Sequence, residues 1–293
     1  TMEDNKVKKY QKEKDNLVTK IGYLQRLLKE YKVPVMVVFE GVHASGKGRL
    51  SNELLLALDP RYTYFYATHT PTESELRRPF LWQYFINIPS NQQVGIFYRS
   101  WYSLYISMKN KVVDFKGYNG SKVLLKEMKD FEKTLKDDGT ILIKFYVDIS
   151  DDKRKEHLKS MAENPHTMWK AQEYDKANDD QYQKDIEEII KEDQKSWHTV
   201  KYDVRERVIN EMLSTVADTL EKRVNEEQKK SESEAPKRDG FFTGKTSGTL
   251  EKCSSEDVIS KEEYKDKLIG LQKEMRDIQY TLYEKKIPLI IVY

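Results

Sequence analysis

The chain has 293 residues, of which 34% are charged and 38% hydrophobic, and its formal net charge is +2. Because 51 basic residues nearly balance 49 acidic ones, the composition argues against a general nucleic-acid or membrane binder. No apolar run approaches the roughly 20 residues that span a bilayer, no signal peptide opens the chain, and the single cysteine, Cys253, excludes an internal disulfide. We therefore expect a cytoplasmic protein.

An amphipathic helix is predicted first, over residues 10–30, where apolar side chains recur at helical spacing. Its apolar stripe consists of Leu17, Ile21, Leu24 and Leu28. Pro34 then marks the change from the helix to an extended segment.

A phosphate-binding loop is predicted next. The apolar run 35–39 indicates a buried strand, Gly41-x-x-x-x-Gly46-Lys47 follows it, and residues 50–58 indicate a helix. Strand, glycine-rich loop and helix in this order are the context that a P-loop requires. The loop N–H groups, the helix N-terminus and Lys47 would together attract an anion. A simple turn between strand and helix is the alternative interpretation.

The rest of the first 224 residues alternates between strands and helices. Further strands are predicted at 61–67, 93–98, 140–147 and 200–204. Further helices are predicted at 76–86, 122–137 and 208–224. This alternation predicts an α/β fold in three layers, with a mainly parallel sheet between helices.

Two polar stretches interrupt this pattern. Residues 151–196 are dense in Lys, Glu, Asp and Gln, and we interpret them as exposed helices over the ligand face, which we name the lid. A solvated pair of helices is the alternative. Residues 225–260 lack periodicity and are rich in Lys, Glu, Ser and Gly, which predicts a flexible linker.

The end of the chain repeats its beginning. Residues 264–293 match residues 10–39 without gaps, and both segments run from an amphipathic helix into a Lys-x-Pro apolar run. We therefore predict a domain at 1–224, the linker, and at 261–293 the start of a second copy of the domain. The chain is then expected to be part of a tandem protein.

Several motifs together resemble the polyphosphate kinase 2 family, and the similarity continues to about residue 220. The main motifs are Phe39-Glu-Gly-x-x-Ala-x-Gly-Lys-Gly48, Asp59-Pro60-Arg61, Pro71-Thr72-x-x-Glu75-x-x-Arg78-Pro79-x-Leu81-Trp82 and Phe97-x-Arg99-Ser100-Trp101-Tyr102. The resemblance implies a thymidylate-kinase-like fold and phosphoryl transfer between inorganic polyphosphate and a nucleotide, AMP or ADP, with magnesium. The tandem arrangement resembles polyphosphate:AMP phosphotransferases.

Two departures from the family pattern affect the chemistry. Where the family has acidic residues, this chain has His43 and Tyr98. An imidazole or a phenol is a poor ligand for a hard cation that prefers oxygen, and phosphoryl transfer depends on such a metal. We therefore expect Mg²⁺ in the full-length protein but no metal in this half, which we interpret as lacking catalysis.

The resemblance and the loop pattern define the candidate site. The predicted phosphate-binding residues are Gly41, Gly46, Lys47, Gly48, Arg49 and Arg99. Arg99 has a structural ion pair as its alternative role. An ordinary pKa for His43 would strengthen anion binding as the pH falls through about 6.5.

Three functional hypotheses remain open at this point. Glu40 or Glu75 replaces the missing acids and the half is active, or the half binds polyphosphate without catalysis, or it is a structural partner of its sibling repeat. The sequence leaves open the nucleotide base, the direction of transfer and whether the protein forms a homo-oligomer.

Overall fold

The chain divides into two units, Thr1–Ala235 and Pro236–Tyr293, which we describe separately. The computed structural model describes residues 2–115, 121–175, 179–233, 260–285, 287, 289 and 291. No helix in these ranges is long and apolar enough to cross a membrane.

A five-stranded parallel sheet forms the centre of the first unit. Its strands are β1 (Val35–Glu40), β2 (Thr63–Ala67), β3 (Val94–Tyr98), β4 (Ile141–Asp148) and β5 (Trp197–Lys201). The strand order is β2-β3-β1-β4-β5, and every neighbouring pair is parallel. β1 is central, buried along its whole length, with Val35 opposite both Val94 and Ile141. The loop after β1 therefore lies at the carboxyl edge of the sheet, between strands on both sides, where α/β proteins bind ligands.

Helices cover both faces of this sheet, which confirms the three-layer α/β prediction. In chain order they are α1 (Met2–Glu30), α2 (Lys47–Ala57), α3 (Trp82–Phe85), α4 (Trp101–Lys109), α5 (Ser121–Asp137), α6 (Asp151–Glu163), α7 (Met168–Asp175), α8 (Asp179–Glu192) and α9 (Arg205–Ser233). α1 and α9 pack along each other and on α2, while α4 packs on α5 and α8. The stripe of α1 enters the core at Ile21, Leu24 and Leu28, each at most 3% exposed.

The predicted boundaries are wrong in several places, and α1 already begins at Met2. The single helix expected at 76–86 is a 3-10 turn, Glu75–Arg77, and the short α3, because Pro79 holds Arg78 in an extended conformation. β5 begins three residues before the predicted 200–204, since its Trp197 packs in the core while His198 and Thr199 face solvent. α9 continues nine residues past the predicted end at 224.

The lid segment contains three helices, and only part of it is exposed. α6 carries no buried residue, but α8 buries Tyr182, Ile186 and Ile190. α8 therefore belongs to the packed domain, which the charge density of its sequence concealed.

The second unit contains one described helix, α10 (Lys261–Glu284), with Ser260 as its N-cap. It ends at the residue that the repeat aligns with Glu30, the last residue of α1. Its apolar stripe is exposed within the described residues, including Met275 at 65%. The predicted linker beyond residue 233, with Cys253, and most of the predicted strand after α10 lie outside the described residues.

One buried ion pair joins β4 to α5. Lys144 is 1% exposed and donates to both carboxylate oxygens of Glu132, at 3.1 and 2.8 Å. Tyr102 and Trp101 also donate to that carboxylate. Burial lowers the pKa of Lys144, but the facing carboxylate opposes this effect. The charges of Lys144 and Glu132 therefore compensate each other in the core.

Replacing Lys144 by Ala should lower the free energy of unfolding by about 3–5 kcal/mol, because the buried carboxylate of Glu132 would lose the cation that is bonded to both of its oxygens. Urea unfolding followed by circular dichroism measures this change. The matched control is Lys133→Ala, which removes an exposed pair with Asp137 and should leave the unfolding curve unchanged. Equal effects of the two substitutions would contradict the assignment of the buried pair.

Candidate functional site

The loop 41–47 has the backbone of a tight anion-binding turn. Gly41 has φ +143° and Gly46 has φ +99°, in regions that side chains rarely adopt. A Cβ on Gly41 would come within 2.7 Å of the Val147 carbonyl oxygen, and one on Gly46 within 2.3 Å of the Tyr202 ring. Both glycines are therefore required by space as well as by conformation. Gly48 differs, because a Cβ there would meet only Tyr98, at 3.8 Å.

Lys47 is folded back onto its own loop. Its Nζ donates to the carbonyl oxygens of Gly41 and Val42, each at 2.6 Å, and the residue is only 2% exposed. Burial and the nearby charge of Arg99 lower the pKa of this ammonium group. In this arrangement Lys47 stabilises the loop from inside.

A cleft of about 540 Å³ opens on the second half of the loop. Its wall is formed by the segment 44–49 and by side chains from α6, α7 and the start of α9. Its Lys and Arg side chains are Lys47, Arg49, Lys153, Lys170 and Arg205, and its two acidic side chains are Glu156 and Asp203. Both acids are already paired, Glu156 with Lys153 and Asp203 with Arg207. The cleft therefore has excess positive charge, and Arg49, Lys170 and Arg205 have no carboxylate within 4 Å in the described part of the chain.

Glu40 is one of the two acids proposed to replace the missing pair, and its carboxylate is already hydrogen-bonded within the protein. It is 0% exposed, and its carboxylate accepts five hydrogen bonds. Ser100 donates its N–H and hydroxyl, at 2.8 and 2.7 Å, and Ser103 does the same, at 3.3 and 2.7 Å. The fifth donor is the hydroxyl of Tyr182, at 2.5 Å. The carboxylate holds the start of α4 and α8 against β1.

Glu75, the other proposed replacement, acts as a local cap. Its carboxylate accepts from the N–H and hydroxyl of Thr72, at 2.7 and 2.9 Å, and lies 3.2 Å from His69. It is not among the residues that line the cleft.

His43 is bonded on both ring nitrogens. Its Nε2 lies 2.8 Å from the guanidinium of Arg99, which can only donate, so Nε2 accepts. Nδ1 therefore carries the proton and donates to Asp179 at 2.6 Å. Burial, opposed by Asp179 and assisted by Arg99, lowers the pKa of His43. The condition of an ordinary pKa for His43 is therefore not met, and we expect its protonation below pH 6.5.

Tyr98 supplies no negative charge at the other departure from the family pattern. Burial raises the pKa of its phenol to about 12, so the group is neutral near pH 7. Its ring lies 5.5 Å from Nζ of Lys47.

The structure divides the predicted site residues into two groups. Gly46, Lys47, Gly48 and Arg49 line the cleft together with Tyr98. Gly41, His43 and Arg99 do not line it, and Arg99 is bonded to His43 instead. The sequence predicted a lid over the ligand face but did not identify the lid residues that contribute to the site. These are Lys153, Arg154, His157, Lys170 and Asp179.

The donor set does not fit a magnesium ion. In the described ranges, no three His, Cys, Asp or Glu side chains are grouped so that they could hold a metal. The buried carboxylates of Glu40 and Asp179 and the cleft carboxylates of Glu156 and Asp203 are bonded to protein donors, and His43 and Tyr98 are neutral. Mg²⁺ prefers several oxygen ligands in octahedral geometry, which these groups do not offer.

Comparison with known proteins decides the family. The family model described as Polyphosphate kinase 2 matches residues 4–229. The chain belongs to the polyphosphate kinase 2 family. A crystal structure of polyphosphate kinase 2 from Arthrobacter aurescens superposes with a TM-score of 0.64 at 20% identity, over 73% of this chain and 80% of that chain. This likeness supports the P-loop kinase fold.

Two curated relatives carry names that state their substrates. The polyphosphate:AMP phosphotransferase of Pseudomonas aeruginosa is 32% identical over 158 residues, which is 53% of this chain and 31% of that protein. The AMP/ADP-polyphosphate phosphotransferase of Meiothermus ruber is 32% identical over 178 residues, 58% of this chain and 64% of that protein. The match thus spans about a third of the Pseudomonas phosphotransferase.

Alanine substitutions at two neighbouring glycines should have opposite effects on stability. Gly46→Ala should cost at least about 2 kcal/mol, because the left-handed backbone and the Tyr202 ring both oppose a side chain. Gly48→Ala, in the first turn of α2, where a Cβ would make only an ordinary contact with Tyr98, should gain up to about 1 kcal/mol. Urea unfolding of both variants tests the loop geometry. A neutral effect of Gly46→Ala would contradict it.

The imidazole of His43 should titrate below its ordinary pKa of about 6.5. Arg99→Gln should raise this pKa, because it removes a cation facing Nε2. Proton NMR of the histidine ring protons, with His43→Gln for assignment, measures both values. A wild-type pKa above 6.5, unchanged by Arg99→Gln, would contradict the hydrogen-bond assignment.

Proposed function

We propose that the domain at 1–224 binds inorganic polyphosphate without metal and does not itself transfer phosphate. In this proposal the complete protein is a cytoplasmic polyphosphate:nucleotide phosphotransferase acting on AMP or ADP. A second copy of the domain, which begins at 261 after the linker 225–260, carries the magnesium-dependent chemistry. The first copy then holds the polyanion for its sibling.

One observation carries the proposal. The basic cleft on Gly46–Arg49 is retained, whereas the two positions at which the family has acids hold the neutral His43 and Tyr98. Phosphoryl transfer needs a metal that bridges the phosphates and neutralises developing charge. A cleft with five Lys and Arg side chains instead attracts a polyanion directly.

The active-enzyme alternative is disfavoured by the bonding of its candidate acids. To bind a metal, Glu40 would have to release five hydrogen-bond donors in a buried site, which costs the desolvation of each donor. Glu75 would have to leave its cap on Thr72.

The proposal predicts polyphosphate binding in EDTA that weakens steeply with salt, because binding a polyanion releases its counterions. Lys153→Ala and Lys170→Ala should each weaken binding roughly three- to tenfold at low salt, since each removes a cation from the cleft. Calorimetric titration at two salt concentrations measures this. Lys159→Ala is the matched control, because Lys159 lies on α6 outside the cleft and should have little effect.

The same preparation should show no polyphosphate-dependent phosphorylation of AMP or ADP with Mg²⁺. Turnover that Lys47→Ala abolishes would contradict the proposed lack of catalysis. Undetectable binding at low salt would contradict the binding role and leave only a structural one.

A further inference from the structure

Asp179 places a carboxylate against the first half of the P-loop. It is the first residue of α8 and is only 3% exposed. Its Oδ1 accepts from the backbone N–H of His43 at 3.3 Å and from Nδ1 of the same residue at 2.6 Å. Its Oδ2 accepts from the guanidinium of Arg154, which also donates to the His43 carbonyl at 3.3 Å. The carboxylate of Asp179 therefore accepts hydrogen bonds from a loop amide, an imidazole and a guanidinium.

These donors are of the kinds that bind phosphate. Backbone N–H groups in a loop before a helix, together with guanidinium groups, are preferred partners of phosphate oxygens. Although burial opposes its charge, the bonds from His43 and the charge of Arg154 lower the pKa of Asp179, so it is an anion near pH 7. Two anions cannot share one set of donors, because each would lose its partners and repel the other.

A second residue of α8 accepts a hydrogen bond from another backbone N–H group of the loop. The N–H of Gly41 donates to the hydroxyl of Tyr182 at 3.4 Å, and that hydroxyl is anchored on Glu40. Residues one turn apart on α8 therefore satisfy the amides of Gly41 and His43.

We infer that Asp179 is an internal anion that occupies the first half of the P-loop and restricts a bound phosphate chain to the second half, Gly46–Arg49. The inference rests on the anion binding proposed above and names the residue that limits its strength. It agrees with the position of the cleft, whose lining includes 44–49 but not His43, Arg99 or Arg154.

Titration of tripolyphosphate in EDTA against the full chain tests this inference. Asp179→Asn keeps the shape of the side chain and removes its charge, so we expect roughly tenfold tighter binding, the value of one charge-assisted hydrogen bond. The gain should persist at high salt, because buried charges are little screened. The matched control is Asp203→Asn, which removes an exposed acid of the cleft and should give a smaller gain that salt abolishes.

A second substitution separates donor release from a general loss of negative charge. Arg154→Gln should weaken binding little in the wild-type background, where Arg154 is held by Asp179. In the Asp179→Asn background it should remove most of the gain, because Arg154 is then free to bind phosphate. Additive effects would overturn the inference, since a merely structural role of Asp179 predicts no such coupling.

The outcomes distinguish this inference from the proposed function. If wild type binds and a folded Asp179→Asn variant binds no more tightly, the inference is overturned and the proposed binding stands. If only Asp179→Asn binds, the inference is supported and the proposed binding role is wrong, and if neither binds, both are wrong.

A measurement on the wild type covers the case in which Asp179→Asn does not fold. Saturating tripolyphosphate should leave the NMR signals of the His43 ring unchanged, because the chain stays in the second half of the loop. A large shift would show phosphate beside His43 and would overturn the inference.

Discussion

The buried carboxylate of Glu40 positions the rest of the site. It accepts from the N–H groups of Ser100 and Ser103, which lie at the start of α4, where a negative charge is favoured by the unpaired N–H groups of a helix. The hydroxyl of Tyr182 brings α8 to the same carboxylate. β1, α4 and α8 therefore meet at one anion that is itself 0% exposed, and removing it would leave several buried donors unpaired.

The position of α8 determines which groups of the P-loop are already bonded within the protein. Because Tyr182 is fixed on Glu40, Asp179 one turn earlier lies against His43. The N–H of His43 and the guanidinium of Arg154 already have Asp179 as an anionic partner, and the N–H of Gly41 is bonded to the hydroxyl of Tyr182. The cleft on the second half of the loop contains cations from three different elements that have no carboxylate within 4 Å among the described residues, and the proposed anion binding depends on them.

Much of the fold could be predicted from local patterns. Five strands alternating with helices indicated the parallel sheet, and β1 was recognisable because a strand buried on both faces is continuously apolar. Pro79 and Trp197 show the limits of such patterns. Pro79 interrupts a helix that the apolar spacing favoured. Trp197 begins an edge strand whose polar residues face solvent.

The site was less predictable than the fold. The glycines and Lys47 follow from a local motif, but the partners of His43 come from residues 99, 154 and 179, which are distant in sequence. Asp179 lies in a charge-rich segment in which no periodicity distinguishes a buried aspartate from exposed ones. Arg99 fits a phosphate contact by its motif, and no local pattern indicates its bond to His43, which depends on the fold.

A crystal structure of the chain with polyphosphate, ADP and Mn²⁺ tests the absence of a metal site most directly, because anomalous scattering locates the manganese. The account predicts phosphate density against Arg49, Lys153 and Lys170, with no manganese held by protein ligands of residues 1–224. Manganese coordinated by Glu40 or Asp179 beside the P-loop would contradict it.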